Sequence, residues 1–323
     1  MQDLITVFGG SGFLGSQIVR ALARQGCRVR VAVRQPHLAH TMRMLGDVGQ
    51  IEVVQANVRN EASVKRALGG AKGAINLVGL LYETGRQKFQ SVHVMGARNI
   101  AAAAKGVGVS RFVQMSALGA DQDSNSKYAR TKAMGEVAVR EVFPEAVIIR
   151  PSIIFGTGDG FFNKFAEMAT VSPILPLIGG GHTRFAPVFV GDVAHAVAKA
   201  VTDPALAGQT FELGGPAEFS FRQILELILK ETGRRRLLLP VPFPVASLIG
   251  KVGELAALTA LAPPLTSDQV ELLKSDNVVT GQFPGLSDLG IVATSVEVIL
   301  PTYLYRFRKG GQYADETERF AAT

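Results

Sequence analysis

The sequence predicts an α/β protein built on a doubly wound parallel sheet, followed by a smaller, mainly helical C-terminal lobe. Three observations predict this. A glycine-spaced turn, Gly9-Gly10-Ser11-Gly12-Phe13-Leu14-Gly15, joins a short apolar run to an amphipathic one. Short β-branched runs then alternate with runs of helical period as far as residue 150, the rhythm of right-handed parallel crossovers. Beyond residue 150 the rhythm changes to helical segments between proline- and glycine-rich turns.

Leu4 to Phe8 is short, β-branched and aromatic, and Phe13, Leu14, Ile18, Val19, Leu22 and Ala23 recur at helical spacing, so the glycine turn links a strand to a helix. That context makes the turn a dinucleotide site. Gly9 permits the tight turn, Gly12 lets a pyrophosphate approach the backbone, and Gly15 lets the helix lie close on the strand; Phe13 and Leu14 open the helix whose N–H groups face the anion. The second strand, Arg28 to Val33, ends at Arg34, where an NAD site usually carries Asp or Glu. Arg34 suits a 2′-phosphate and so NADP; a solvated strand-end charge is the other reading.

The third strand, Ile51 to Ala56, ends in Asn57-Val58 where an adenine edge would be met. After a helix from Glu61 to Leu68, a fourth strand runs from Ala74 to Gly79, placing Val78 and Gly79 beneath the nicotinamide ribose. A long helix rich in small residues is expected between Gln87 and Gly106, then a fifth strand, Arg111 to Met115, with Ser116 at its carboxyl end, where ligands of open α/β sheets sit. The next helix carries Tyr128 and Lys132, four residues apart and so on one face. An ammonium near a phenol favours the phenolate and makes the tyrosine a usable proton donor or acceptor. A sixth strand, Ala146 to Ile149, leads into Arg150-Pro151-Ser152-Ile153, of which Pro151 and Ile153 are further candidate cofactor contacts.

Helices are expected near Phe162 to Thr170, Phe221 to Thr232 and Val245 to Leu261, while the stretch around 187–201 returns a strand and helix to the main body. The division is therefore residues 1–150, an NADP-binding domain completed near 187–201, and residues 151–323, a smaller lobe interleaved with it.

Composition narrows the function. The chain has 323 residues, 47% hydrophobic and 19% charged, without a block of like charge that would signal disorder. Its net charge of +7 is lopsided: 20 Lys and Arg against 10 Asp and Glu in residues 1–150, and 14 against 17 thereafter. A phosphorylated cofactor, an acidic partner or an anionic membrane surface suits that excess. Nucleic acid does not, because the cations are scattered along alternating elements. The single cysteine, Cys27, allows no internal disulfide and points to packing in a reducing compartment. His37, His40, His93, His182 and His195 show no ligand spacing, so no metal site is expected and the histidines read as surface or packing residues.

The first apolar run is already the strand before the glycine turn, so no targeting segment is expected. The most apolar stretch, Leu237 to Ala262, is broken by Pro240, Pro242, Pro244, Lys251 and Glu254 and is not expected to span a membrane. Near its start Arg234-Arg235-Arg236 flank apolar helix faces, which either rest on anionic headgroups or a partner, or pack the small lobe.

Together Gly9, Gly12, Gly15, Ser116, Tyr128, Lys132 and Arg150-Pro151 resemble the extended and atypical short-chain dehydrogenase/reductases, with a Rossmann sheet. That resemblance implies a catalytic group in which Ser116 holds the substrate oxygen, Tyr128 moves the proton and Lys132 orients the ribose. A second resemblance runs almost end to end. It is carried by Asn76-Leu77-Val78-Gly79, Ser126-Lys127-Tyr128, Gly135-Glu136, Phe143-Pro144-Glu145-Ala146, Arg150 to Gly156, Asp159 to Asn163, Pro242-Phe243-Pro244 and Phe283 to Ile291. These look like the NADPH-binding accessory subunits of respiratory complex I. The family implies NADPH held without turnover at the junction of the peripheral and membrane arms, among other complex I subunits and with peripheral lipid contact. The expected location is the cytoplasmic face of a bacterial inner membrane, or alternatively the matrix side of the mitochondrial one. The intact Tyr128 and Lys132 leave the alternative of a free-standing NADP-dependent reductase, dehydrogenase or epimerase.

Overall fold

A computed structural model describes residues 3–256 and 265–313. The N-terminal half opens with β1 (Leu4–Phe8), α1 (Phe13–Arg24), β2 (Arg28–Val33), β3 (Ile51–Gln55), α2 (Glu61–Leu68) and β4 (Gly73–Asn76). It continues with a π-helical turn (Gln90–Gly96) running into α3 (Ala97–Gly106), then β5 (Arg111–Met115), α4 (Lys127–Val142) and β6 (Val147–Pro151). After it come β7 (Ile154–Phe155), α5 (Phe162–Val171), β8 (Ile174–Ile178), β9 (Arg184–Phe185), β10 (Val188–Phe189), α6 (Val190–Thr202), β11 (Thr210–Leu213), β12 (Phe219–Ser220), α7 (Phe221–Glu231), β13 (Leu237–Val241), α8 (Phe243–Ala256) and α9 (Ser267–Leu272).

Seven parallel strands form the main sheet in the order β11-β6-β5-β4-β1-β2-β3. Its inner strands are buried on both faces because helices cover both, while the edge strand β3 is partly exposed. Period-two alternation sorts the side chains: Ile5 and Val7 join Ile18, Leu22, Val193 and Val197 beneath α1 and α6. Phe8 and Phe112 join Val64, Ile100, Ala101 and Val139 beneath α2, α3 and α4. The order reverses between β1 and β4, so the carboxyl ends of those two strands open the crevice where such sheets bind ligands.

A second core gathers Phe155, Phe162, Leu177, Phe185, Phe221, Ile228, Leu300 and Tyr303. Buried Asp159 fastens it. Its carboxylate accepts from the N–H groups of Phe161 and Phe162 at 2.9 and 2.6 Å, capping α5, and from the Tyr303 hydroxyl at 2.7 Å.

Several expectations shift. The fourth strand ends at Asn76, so Val78 and Gly79 lie in the segment beyond it. The expected helix after Gln87 begins as a π-helical turn, with His93 and Gly96 on it. The short strand near 187 pairs with β7, whereas the seventh strand of the sheet is β11, which the sequence reading did not single out. The helix expected from Val245 to Leu261 is α8; its end, like residues 257–264, lies outside the described residues.

Candidate functional site

The turn between β1 and α1 is shaped by its glycines. Gly9 has φ +79°, and a Cβ on it would touch Val78, which sets the turn against the segment leaving β4. A Cβ on Gly15 would fall 2.5 Å from the Gly9 carbonyl oxygen, so only glycine lets α1 approach this closely. Gly12 is different. A Cβ there would meet the Gly9 oxygen at 3.4 Å, an ordinary contact, so the protein itself does not demand glycine at 12. Gly12 is also the N-cap of α1 and no side chain caps it. The N–H groups of Phe13, Leu14 and Gly15 are thus left to an external acceptor.

Arg34 is exposed and has no partner among the described residues. Asn57 is folded into a local turn, its Oδ1 accepting from Arg59 N–H at 3.1 Å, and Val58 is buried against Gly96. Pro151 closes β6, where its carbonyl accepts from Leu118 N–H, and the Ile153 carbonyl accepts from Val188 N–H. These last two are held through their backbones, Pro151 to the segment after β5 and Ile153 to β10.

Ser116, Tyr128 and Lys132 come together. Lys132 Nζ donates to the Met115 carbonyl at 3.3 Å, next to Ser116, and lies 5.7 Å from the centre of the Tyr128 ring. Gly79 is there too, since a Cβ on it would be 3.4 Å from Lys132 Nζ. Ser116 is buried, and its Oγ has no hydrogen-bond partner among the described residues. A buried hydroxyl left orphaned is a costly arrangement. Together with the uncapped α1 it fits a nucleotide lying along the crevice with a substrate oxygen at its far end.

The electrostatics differ from the simple phenol and ammonium pair. Burial, and then the Asp268 carboxylate, push the Tyr128 phenol up to about 12. Burial lowers Lys132 to about 8, although Glu136 pulls the other way. The shift at Tyr128 runs opposite to the one expected from a neighbouring ammonium, and its causes are burial and the Asp268 carboxylate.

Four residues at this site were not among the site residues read from the sequence. Asn76 donates from Nδ2 to Gln114 Oε1 at 2.9 Å and accepts from Val78 N–H, fixing the exit from β4. Both are polar residues in strands buried on two faces, a signal legible in the sequence. His93 Nε2 accepts from Leu80 N–H at 2.9 Å, so the proton is assigned to Nδ1, which lies 3.0 Å from Thr131 Oγ1. Burial, and then Lys132, lower His93 to about 3, so it stays neutral. Asp268, from α9, accepts from Ser126 Oγ and from the N–H groups of Lys127 and Tyr128. No local pattern announces a cap supplied 140 residues away. Among the described residues no group of three or more His, Cys, Asp or Glu side chains could hold a metal ion.

Comparison with known proteins places this geometry. A family model described as the NmrA-like family matches residues 1–261. The mitochondrial NADH dehydrogenase (ubiquinone) 1 alpha subcomplex subunit 9 of Mus musculus is 38% identical over 316 residues, 97% of this chain and 82% of that one. A ceramide reductase of Caulobacter vibrioides is 36% identical over 205 residues, 64% of this chain and 63% of that one. Among solved structures, the NADPH-dependent quinone oxidoreductase QOR2 of Escherichia coli has a TM-score of 0.71 at 21% identity, covering 91% of this chain and 98% of that one, a likeness of fold.

Proposed function

This chain belongs to the NmrA-like family, and we propose that it is an accessory subunit of respiratory complex I in which bound NADPH acts as a structural brace. The observation that carries the reading is the extent of the likeness to the alpha subcomplex subunit, which continues through the second core, well beyond the turn and helix that any nucleotide-binding relative shares. In this reading residues 1–150, completed near 187–201, hold the nucleotide, and residues 151–323 form the smaller lobe. The phosphates lie on the N–H groups of Phe13, Leu14 and Gly15, and Arg34 meets the 2′-phosphate. Lys132 and Tyr128 hold the nicotinamide ribose beside Gly79. A ligand that binds only the folded state at a thousandfold above its Kd adds about 4 kcal/mol, comparable with a domain's whole margin. The protein then sits at the membrane as a peripheral subunit, on the cytoplasmic face in a bacterium or the matrix face in a mitochondrion.

Gly12→Asp tests this cleanly, because the turn has room for a side chain while the new carboxylate repels phosphate. Gly12→Asp and Arg34→Glu are expected to lower recovery of the chain with complex I after gentle native purification, and Tyr128→Phe to leave it unchanged. Normal recovery after loss of the nucleotide would overturn the brace.

One observation favours a second reading, a reductase. The Ser116 hydroxyl is buried without a partner among the described residues, next in the chain to the Met115 carbonyl that Lys132 reaches, and the ceramide reductase relative supports a carbonyl lipid as substrate. When bound, NADPH supplies a hydride; Ser116 holds the carbonyl oxygen, Tyr128 gives it a proton, and Lys132 holds the ribose. Carbonyl-dependent NADPH oxidation that disappears in Tyr128→Phe, with nucleotide binding kept, would decide for it.

A further inference from the structure

Between β7 and α5 the chain makes the turn Gly156-Thr157-Gly158-Asp159-Gly160. Its tip reaches the crevice. A Cβ on Gly158 would stand 3.9 Å from the Phe13 ring, and Phe13 opens α1, with its N–H among those left to an external acceptor. Gly158 has φ +91°, a conformation that other residues rarely adopt, so glycine carries the chain past this ring. Thr157 and Gly158 are exposed and make no hydrogen bond among the described residues. One hydroxyl and two backbone N–H groups are thus unused at the Phe13 contact.

The root of the turn is held from far along the chain. One oxygen of Asp159 caps α5; the other, Oδ2, accepts from Gly156 N–H at 3.3 Å, from Asn163 Nδ2 at 3.3 Å and from the Tyr303 hydroxyl at 2.7 Å. Tyr303 makes the short bond. It lies 144 residues further on, is 3% exposed, and packs in the second core with Phe155, Phe162 and Leu300. Asp159 N–H donates back to the Gly156 carbonyl at 2.9 Å and closes the turn on itself. The placing of Gly158 against Phe13 therefore depends on a hydroxyl supplied by the second core.

We propose that the turn over residues 156–160 is the outer wall of the pyrophosphate site and that Tyr303 is its latch, so that the C-terminal lobe sets how long a nucleotide stays bound. The proposal rests on the nucleotide reading of the crevice and says how that hold is regulated. A pyrophosphate seated on the N–H groups of Phe13 and Leu14 keeps oxygens turned away from α1. The Thr157 hydroxyl and the Thr157 and Gly158 N–H groups supply donors for them. The anion in turn fixes the turn, Asp159 and Tyr303. That is a route by which a nucleotide in one half braces the other.

The full chain, titrated with NADPH by its fluorescence and then chased with excess NADP, tests this. Tyr303→Phe keeps the ring and removes the hydroxyl, and it is expected to release NADPH roughly tenfold faster. Leu300→Ala removes packing from the same core and no bond to Asp159; it should lower the thermal midpoint and leave the release rate unchanged. Thr157→Asp changes an exposed position, so the fold is retained, and by repelling phosphate it should raise the NADPH Kd roughly tenfold or more. Release from Tyr303→Phe at the wild-type rate overturns the latch, as does Leu300→Ala speeding release equally. Wild-type affinity in Thr157→Asp overturns the wall. A wild-type chain that binds no NADPH overturns the nucleotide reading and the proposal with it, an outcome told apart from the others because the first titration already shows it.

Discussion

At neutral pH His93 is uncharged, and its neutrality is built into the fold. Its ring stacks on Phe89 at 5.2 Å and meets the edge of Tyr128 at 5.5 Å, with Lys132 close enough to repel a second cation. The folded value of about 3 lies below the 6.5 of the unfolded chain, so the unfolded chain binds the proton more readily between them. The stability tied to this residue is complete above pH 6.5 and is lost as pH falls toward 3. The shift alone corresponds to up to about 5 kcal/mol. His93→Gln supplies a non-titrating acceptor for Leu80 N–H and is expected to flatten that acid limb, read as denaturant midpoints at pH 7, 5 and 4. A variant that tracks wild type across this range would clear His93 of the effect. Ser116 makes the complementary point: its unsatisfied Oγ is a standing cost that a bound oxygen would remove.

At the scale of elements, the first turn of α4 depends on another part of the chain. Ser126 caps it locally through Ala129 N–H, and Asp268 adds a charged acceptor to the N–H groups of Lys127 and Tyr128. A carboxylate at a helix N-terminus is stabilising, and this one also holds the Tyr128 proton. Asp268→Asn keeps an acceptor but removes the charge. It should cost about 1 kcal/mol in stability and bring the Tyr128 titration below about 12. The measurement is an ultraviolet titration differenced against Tyr128→Phe; an unmoved midpoint would show that burial alone sets the phenol. The π-helical turn is another such dependency. It brings the His93 carbonyl so near α4 that a Cβ on Gly135 would lie 2.2 Å from that oxygen. A π-turn at this point re-aims His93 toward Leu80, where a regular helix would carry it elsewhere.

Across the whole molecule, Arg150 ties together parts that are distant in sequence. It pairs through two hydrogen bonds with Glu136 of α4, at 3.0 and 2.6 Å, and faces Glu212 of β11 at 3.9 Å. Glu212 in turn accepts from Thr280 N–H and hydroxyl, and the Phe283 ring lies 5.0 Å from the guanidinium. Arg150→Met strands two buried carboxylates. The expected loss is about 3–5 kcal/mol in thermal or denaturant unfolding at pH 7, shrinking as acid protonates both glutamates. A loss below about 1 kcal/mol would mean that the pair is dispensable.

The local pattern of residues was enough to determine β1, β2, α2 and β5 at their observed bounds, the helix opened by Phe13, the close approach of Gly15 to Gly9, and the approach of Lys132 to Tyr128 and to the backbone beside Ser116. Strand and helix periods and glycine spacing act over a few residues, and so can be read in order along the chain. Tertiary structure decided that β11 closes the sheet, that Val78 and Gly79 leave β4 instead of ending it, that Asp268 caps α4, and that the Tyr128 phenol is pushed above its ordinary value. Each of those depends on burial or on groups brought together from far apart, and desolvation belongs to the assembled body, not to any stretch of it.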